Sequence, residues 1–268
     1  MIESSPRRLA FAVLALALLG SAARAEDLAE IKARGVLRAV VWSENLPELY
    51  AVKAGGDSGL EREILEGFAR LHELRLEVVS VPSLDSRIPT LLEGKGDLVA
   101  GGLVATESRR KLVSFTAELF PIRHVAVTYG ASPLASVEEL RLARVGTIKG
   151  SSWSEEVAAA GVPPGHVDDS FTSANQLVAG LRSGKVSAIV MSAVWAAVEA
   201  RKDPKLQLGV LLGAPTSVGY AVRKDQPRLL AALDEYIGNV RLTPTWSRLV
   251  VKYFGEAGLD ILRRSREK

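Results

Sequence analysis

The chain has 268 residues, 47% hydrophobic and 24% charged, with 34 Lys and Arg against 31 Asp and Glu. That length holds one two-lobed domain or two small ones, and a formal charge of +3 leaves no electrostatic footprint for nucleic acid. Cysteine is absent, which excludes disulfides, a thiolate nucleophile, Cys-ligated zinc and a lipid-bearing cysteine. The start reads as a secretory signal peptide over residues 1–25. Arg7 and Arg8 precede an apolar run, Leu9–Leu19, too short to span a bilayer, and Ala23-Arg24-Ala25 is a small-x-small cleavage site. Cleavage after Ala25 is expected to deliver the chain to the periplasm. It removes three arginines and one glutamate, a net +2, and leaves the mature chain at +1.

Gly35 introduces an apolar run, Val36–Val41, of strand length, and the loop after it carries Trp42 and Glu44. Trp42 is open to two readings, half-buried packing or contact with a ligand. Ser58–Leu74 is a helix with Leu60, Ile64, Phe68 and Leu71 on one face. Ser58 and Glu61 fit a capping box, and the carboxylates of this segment are assigned to capping and the surface. A strand over Leu76–Val81 and a helix over Ser83–Glu93 follow, with Pro89 in the first turn and Gly94 as the stop.

The centre of the pattern is Lys95–Thr116. Asp97 precedes the short strand Leu98-Val99-Ala100, Gly101 and Gly102 let another group approach the backbone, and Thr106 caps a short helix bearing Arg109. A guanidinium beside exposed helix N–H groups suits a carboxylate; the other reading is a surface salt bridge. Phe120-Pro121 and Val125–Tyr129 then lead out toward Gly130. Beyond it Arg144–Ile148 reads as a strand, Ser152 and Glu155 as a second capping box, Asn175–Arg182 as a helix and Val186–Met191 as a buried strand. Val218–Val222 reads as a strand, and helices over Leu229–Val240 and Thr245–Phe254 precede a basic tail, Arg263–Lys268.

These phrases together resemble the bacterial extracellular solute-binding proteins of family 3: Gly-Val-Leu-Arg at Gly35, Gly-Leu-Glu-Arg-Glu-Ile at Gly59, the Asp97 to Thr116 signature, and Lys-Tyr-Phe-Gly at Lys252. The resemblance implies an α/β, two-lobed, periplasmic-binding-protein-like (type II) fold with two hinge crossovers. Lobe 1 would be residues 26–128 and 218–268, and lobe 2 residues 129–217. It implies a monomer that clamps a small carboxylate-bearing solute, an amino acid or related organic acid, and passes it to an ABC permease in the inner membrane, with no metal or other cofactor. The ligand-facing residues it implies are Trp42, Glu44, Leu84, Gly102, Val104 and Arg109 in lobe 1, and Ser151, Ser152 and Ser192 in lobe 2, with Trp153 beside them. Three positions depart from the family pattern. Leu84 stands where an aromatic lid is common, Val104 where a hydroxyl is common, and Met191-Ser192 where a carboxylate usually pairs with an α-ammonium. By charge pairing a standard α-amino acid is a poor match.

The middle of the chain is also similar to the amino-terminal module of membrane-bound lytic murein transglycosylases F, which implies an alternative role as a transporter-independent sensor or regulatory module. The lysozyme-like domain of those proteins is expected to be missing. An enzymatic reading has less behind it. His72, His124 and His166 form no metal motif, and nucleophile-elbow, Walker and dinucleotide signatures are absent. A carboxylate pair such as Glu44 with Glu61, or a cyclohexadienyl-dehydratase-like use of the same fold, stays open by spacing; the expectation is that no catalytic residue is present.

Overall fold

Val36–Trp42 (β1) is rich in β-branched residues and runs parallel between Arg75–Val81 (β2) and Leu98–Val99 (β3). The computed structural model that shows this describes residues 27–267 apart from Asn45, Pro47, residues 53–57 and Ala131. The expected signal peptide and its cleavage site lie outside the described residues. Helices Leu28–Arg34 (α1), Leu60–Leu71 (α2), Arg87–Leu92 (α3) and Glu107–Arg110 (α4) belong to this first lobe, as does the short strand Ser114–Phe115 (β4). The chain then forms Phe120–Tyr129 (β5), Val137–Leu142 (α5), Val145–Ile148 (β6), Ser152–Ala159 (α6), Val167–Phe171 (β7), Ala174–Arg182 (α7), Ala188–Ser192 (β8), Ala193–Lys202 (α8) and Leu206–Val218 (β9). It returns as Ala221–Val222 (β10), Pro227–Arg241 (α9), Pro244–Phe254 (α10) and Gly258–Arg264 (α11).

Two five-stranded sheets result, in the orders β2-β1-β3-β10-β4 and β7-β6-β8-β5-β9. The expected α/β fold of two lobes is therefore present, with parallel strands at one side of each sheet and an antiparallel return at the other. In lobe 1, α2 buries Leu60, Ile64, Leu65 and Phe68, and α9 buries Leu229, Leu233 and Ile237. Phe68 meets Tyr236 edge-on at 5.7 Å, which joins the two helices over the sheet. Lobe 2 has its own core around Leu177, Leu181, Ile189 and Met191.

One expected boundary moves. The first crossing was placed near Tyr129, but all of β5 pairs inside the second sheet, from Phe120 opposite Val218 to Tyr129 opposite Leu206. The hinge therefore lies at residues 116–119 and 219–220, and residues 120–128 belong to lobe 2. Here Thr116 N–H donates to Tyr220 O (2.9 Å), Tyr220 N–H to Thr116 Oγ1 (3.0 Å), and Leu119 N–H to Val218 O (2.9 Å). The two crossover strands thus bend as one braced ribbon, a hinge confined to a few residues at element ends. At the second crossing, Val218, expected to open the return to lobe 1, is the last residue of β9 and pairs with Phe120 in the second sheet, so it belongs to lobe 2.

Candidate functional site

Between the lobes lies a pocket enclosing about 700 Å³ of unfilled space, part of it open to solvent. Of the nine residues expected to face a ligand, eight line it: Trp42, Leu84, Gly102, Val104 and Arg109 from lobe 1, and Ser151, Ser152 and Ser192 from lobe 2. They stand at strand ends, in the turns after them, or in the short helices α4 and α6 that follow, which is where an open α/β sheet presents a crevice. Glu44 is the exception. Its carboxylate accepts hydrogen bonds from Ala174 N–H (2.7 Å) and Asn175 N–H (3.0 Å), so it caps α7 across the interface and does not line the pocket. The positive end of that helix is a better partner for a half-buried carboxylate than the apolar pocket wall. Burial still holds its pKa above the ordinary value.

Arg109 is only 8% exposed. The N-cap that positions it is the expected one, Thr106, whose hydroxyl faces Arg109 N–H at 3.4 Å. Its guanidinium donates to Val104 O (2.9 Å) in its own lobe and to Gly150 O (3.0 Å) across the cleft. Five N–H donors on a planar fork leave capacity for a ligand carboxylate beyond these two bonds. The surface salt bridge weighed from the sequence is not its role.

Two buried groups lie behind Arg109, one of them in a role other than the expected one and the other, Arg87, outside the expected site residues. Glu61, expected as half of a capping box, is fully buried, and its carboxylate accepts Gly101 N–H (2.8 Å) and Gly102 N–H (2.7 Å). Gly59 at positive φ occupies the N-cap of α2, while Ser58 Oγ donates to Glu66, so no capping box forms. Gly101 and Gly102 both have positive φ, the conformation that turns two successive amides toward one anion. Burial pushes the Glu61 pKa up to about 7 against the pull of these amides and of Arg87. Arg87 in turn is buried and donates to the carbonyls of Leu84, Ala100 and Gly101. Burial, and then the Arg109 charge, bring its pKa down to about 9. A signal for both was available. Glu61 falls four residues before Leu65 and Arg87 four before Leu91, on the buried faces of their helices.

The second expected capping box is also displaced by one residue. Ser151 is the N-cap of α6, accepting Ser154 N–H at 3.1 Å. Ser152 is freed to turn inward, where its hydroxyl meets His124 Nε2 at 3.0 Å. His124 is buried, and burial followed by the Arg109 charge lowers its pKa to about 4, so the imidazole is neutral. Glu156 lies 3.9 Å from His124 Nδ1. Ser152, His124 and Glu156 stand in the order of nucleophile, base and orienting acid, but that gap is too long for the hydrogen bond that orients a general base. The pair Glu44 and Glu61 fares no better as an acid–base couple, since each carboxylate is occupied by two backbone amides.

The remaining walls are apolar. Trp153 and Trp195 stack at 5.7 Å with 13° between their planes, and Phe120, Ile122, Val194 and Phe254 complete the lining. Trp42, the last residue of β1, packs into the lobe 2 core and is 5% exposed, so packing and pocket lining are both its role. Trp195 had no distinguishing sequence signal beyond lying three residues past Ser192, whose hydroxyl faces its N–H. Among the described residues no His, Asp and Glu cluster could hold a metal ion, and no helix is long and apolar enough to cross a membrane.

A charged, hinged crevice between two α/β lobes defines a solute-binding fold of the periplasmic type. A profile of the bacterial extracellular solute-binding proteins, family 3, matches residues 37–256, and the chain belongs to that family. Among solved structures it is similar to the P235GK mutant of ArgBP from T. maritima, with TM-score 0.76 and 25% identity over 85% of this chain and 99% of that one. It is also similar to an ancestral arginine-binding protein bound to arginine, with TM-score 0.72 and 25% identity over 83% of this chain and 99% of that one. A curated relative, the membrane-bound lytic murein transglycosylase F of Stutzerimonas stutzeri, is 27% identical over 91% of this chain and 51% of its own length. The chain thus spans about half the length of the curated relatives it matches.

Proposed function

We propose that this protein is a periplasmic receptor that clamps a small carboxylate-bearing solute between its lobes and delivers it to an ABC permease in the inner membrane. It works as a monomer, without a cofactor, and makes or breaks no bond. The observation that carries the reading is Arg109, a buried guanidinium at the cleft with a hydrogen bond to each lobe, so that a carboxylate docking on it is felt by both. The arginine-binding proteins it resembles support a small solute with a carboxylate, and the signal-like start supports export.

The test is a thermal-shift panel of amino acids, organic acids, sugars and muropeptides. A solute bound to the native state alone raises Tm, by about 2.7 kcal/mol of added stability at one hundred times its Kd. Arg109→Ala is expected to weaken that solute at least about a hundred-fold, the loss of a charge-assisted bidentate contact in a desolvated site. An unchanged affinity in the variant sinks the assignment.

The transglycosylase relatives favour a second reading. They align over most of this chain, and the same clamp would then report a cell-wall fragment to a partner without import. Co-purification of a permease with the ligand-loaded protein separates the two.

A further inference from the structure

The pocket has a grip for a negative charge and none for a positive one. Among the described residues Glu48 is the one carboxylate that lines it, and Glu48 is already bonded to Lys202 Nζ at 2.8 Å. Glu44 and Glu61 stand nearby, each with both oxygens held by backbone amides. The polar side chains of the lobe 2 wall are likewise committed. Ser151 Oγ donates to Ile148 O, Ser152 Oγ pairs with His124, and Ser192 Oγ caps α8. Two guanidiniums, Arg87 and Arg109, face the same space. An ammonium placed here would meet the like charges of Arg87 and Arg109, and the one carboxylate in the lining, Glu48, already carries the Lys202 ammonium, so its desolvation would be poorly compensated.

The cations also limit the number of acid groups. Arg87 is surrounded by three carbonyls and balanced by Glu61, which leaves Arg109 to take one carboxylate. Much of the remaining lining is apolar, with the stacked pair Trp153 and Trp195 from lobe 2 and Leu84 and Trp42 from lobe 1 packed in one cluster. Aromatic faces favour a planar apolar body by offset or edge contact.

We infer that the ligand of this cleft is an aromatic monocarboxylate that carries no amine. The inference rests on the solute-clamp reading and narrows it. 3-Phenylpropanoate and L-phenylalanine differ only by the α-ammonium and serve as the probe pair, with L-arginine as a third ligand, in calorimetric titrations of the purified chain at pH 7. 3-Phenylpropanoate is expected to bind at least ten-fold more tightly than phenylalanine. Ser192→Asp places a carboxylate at the pocket wall and keeps a good helix cap, so the variant retains α8; it is expected to move the ratio at least ten-fold toward phenylalanine. Phenylalanine or arginine binding as tightly as 3-phenylpropanoate in the unaltered chain, with dependence on Arg109, overturns the inference and leaves the clamp standing. A ratio unmoved by Ser192→Asp overturns it as well. If none of the three binds and no acid of the wider panel raises Tm, the clamp and the inference fall together.

Discussion

The two walls of the cleft solve the problem of buried polarity in opposite ways. Lobe 1 buries full charges and meets most of them from within: Glu61 against two amides and Arg87, and Asp97 against Arg34 (2.6 Å) and Arg38 (2.8 Å), while Arg109 bonds one carbonyl of its own lobe and one across the cleft. Lobe 2 buries neutral groups, the hydroxyls of Ser151, Ser152 and Ser192, the uncharged imidazole of His124 and two stacked indoles. A charge is costly to bury unless every partner is in place, whereas a neutral dipole needs a single hydrogen bond. Lobe 1 is therefore the rigid half of the grip, and lobe 2 the half whose surface shapes what is gripped.

The largest expected effect comes from breaking the lobe 1 balance. Glu61→Ala leaves Gly101 N–H and Gly102 N–H without an acceptor, and Arg87 without the opposing charge of Glu61, in a buried site. Removing one side of a buried charge pair costs about 3–5 kcal/mol, read as a fall in the urea midpoint. Glu61→Gln keeps the shape and one acceptor oxygen and is expected to cost about 1 kcal/mol. Equal losses in the two variants would show that volume, and not charge, matters at this position.

The contrast also sets opposite pH dependences. The folded pKa of Glu61, about 7, stands above its ordinary 4.5, so the stability it contributes is complete below 4.5 and is lost as pH rises through 7. The folded pKa of His124, about 4, stands below its ordinary 6.5, so its contribution is complete above 6.5 and is lost as pH falls through 4. Each amounts to about 3 kcal/mol over its full range, at about 1.4 kcal/mol per pH unit. Between pH 4.5 and 6.5 the two slopes have opposite signs and nearly cancel. Unfolding free energy is then expected to be nearly level there in the unaltered chain, to rise with pH in Glu61→Gln and to fall with pH in His124→Gln. Parallel pH profiles for the two variants would break the contrast between the walls.

The same contrast explains how far the sequence could be read. Strand and helix periods, the Thr106 cap and the Gly101-Gly102 turn are local features that mark the elements, whereas the two lobes and the eight pocket-lining positions are legible only through the family resemblance those phrases carry. The hinge was placed nine residues late because β5 continues without interruption from the crossing into the second sheet, and only its pairing with β9 shows where one lobe ends. Glu61 and Glu44 were misplaced for a related reason. Their partners are amides 40 and 130 residues away, and nothing within a helical turn distinguishes a carboxylate that caps its own helix from one that holds a distant loop. Ser152 differs from Ser151 only in which of two adjacent hydroxyls turns back to the helix, a choice made by His124 from another strand.

The smallest expected effect tests how the walls are held together. Glu44 reaches from the loop after β1 in lobe 1 to the first turn of α7 in lobe 2, so moving the lobes apart would break this bond. A carboxylate at a helix N-terminus contributes about 0.5–2 kcal/mol, and Glu44→Gln is expected to remove about 1 kcal/mol of it from the closed state alone. Affinity for the cognate solute would fall about five-fold, because each 1.4 kcal/mol is a factor of ten. The urea midpoint would shift little, since Glu44 belongs to neither lobe's core. Small-angle scattering would find the unliganded variant more open than the unaltered chain. If scattering and affinity are unchanged while the midpoint falls, Glu44 is stabilising its own loop, and closure is governed by Arg109 and its bond to Gly150 instead.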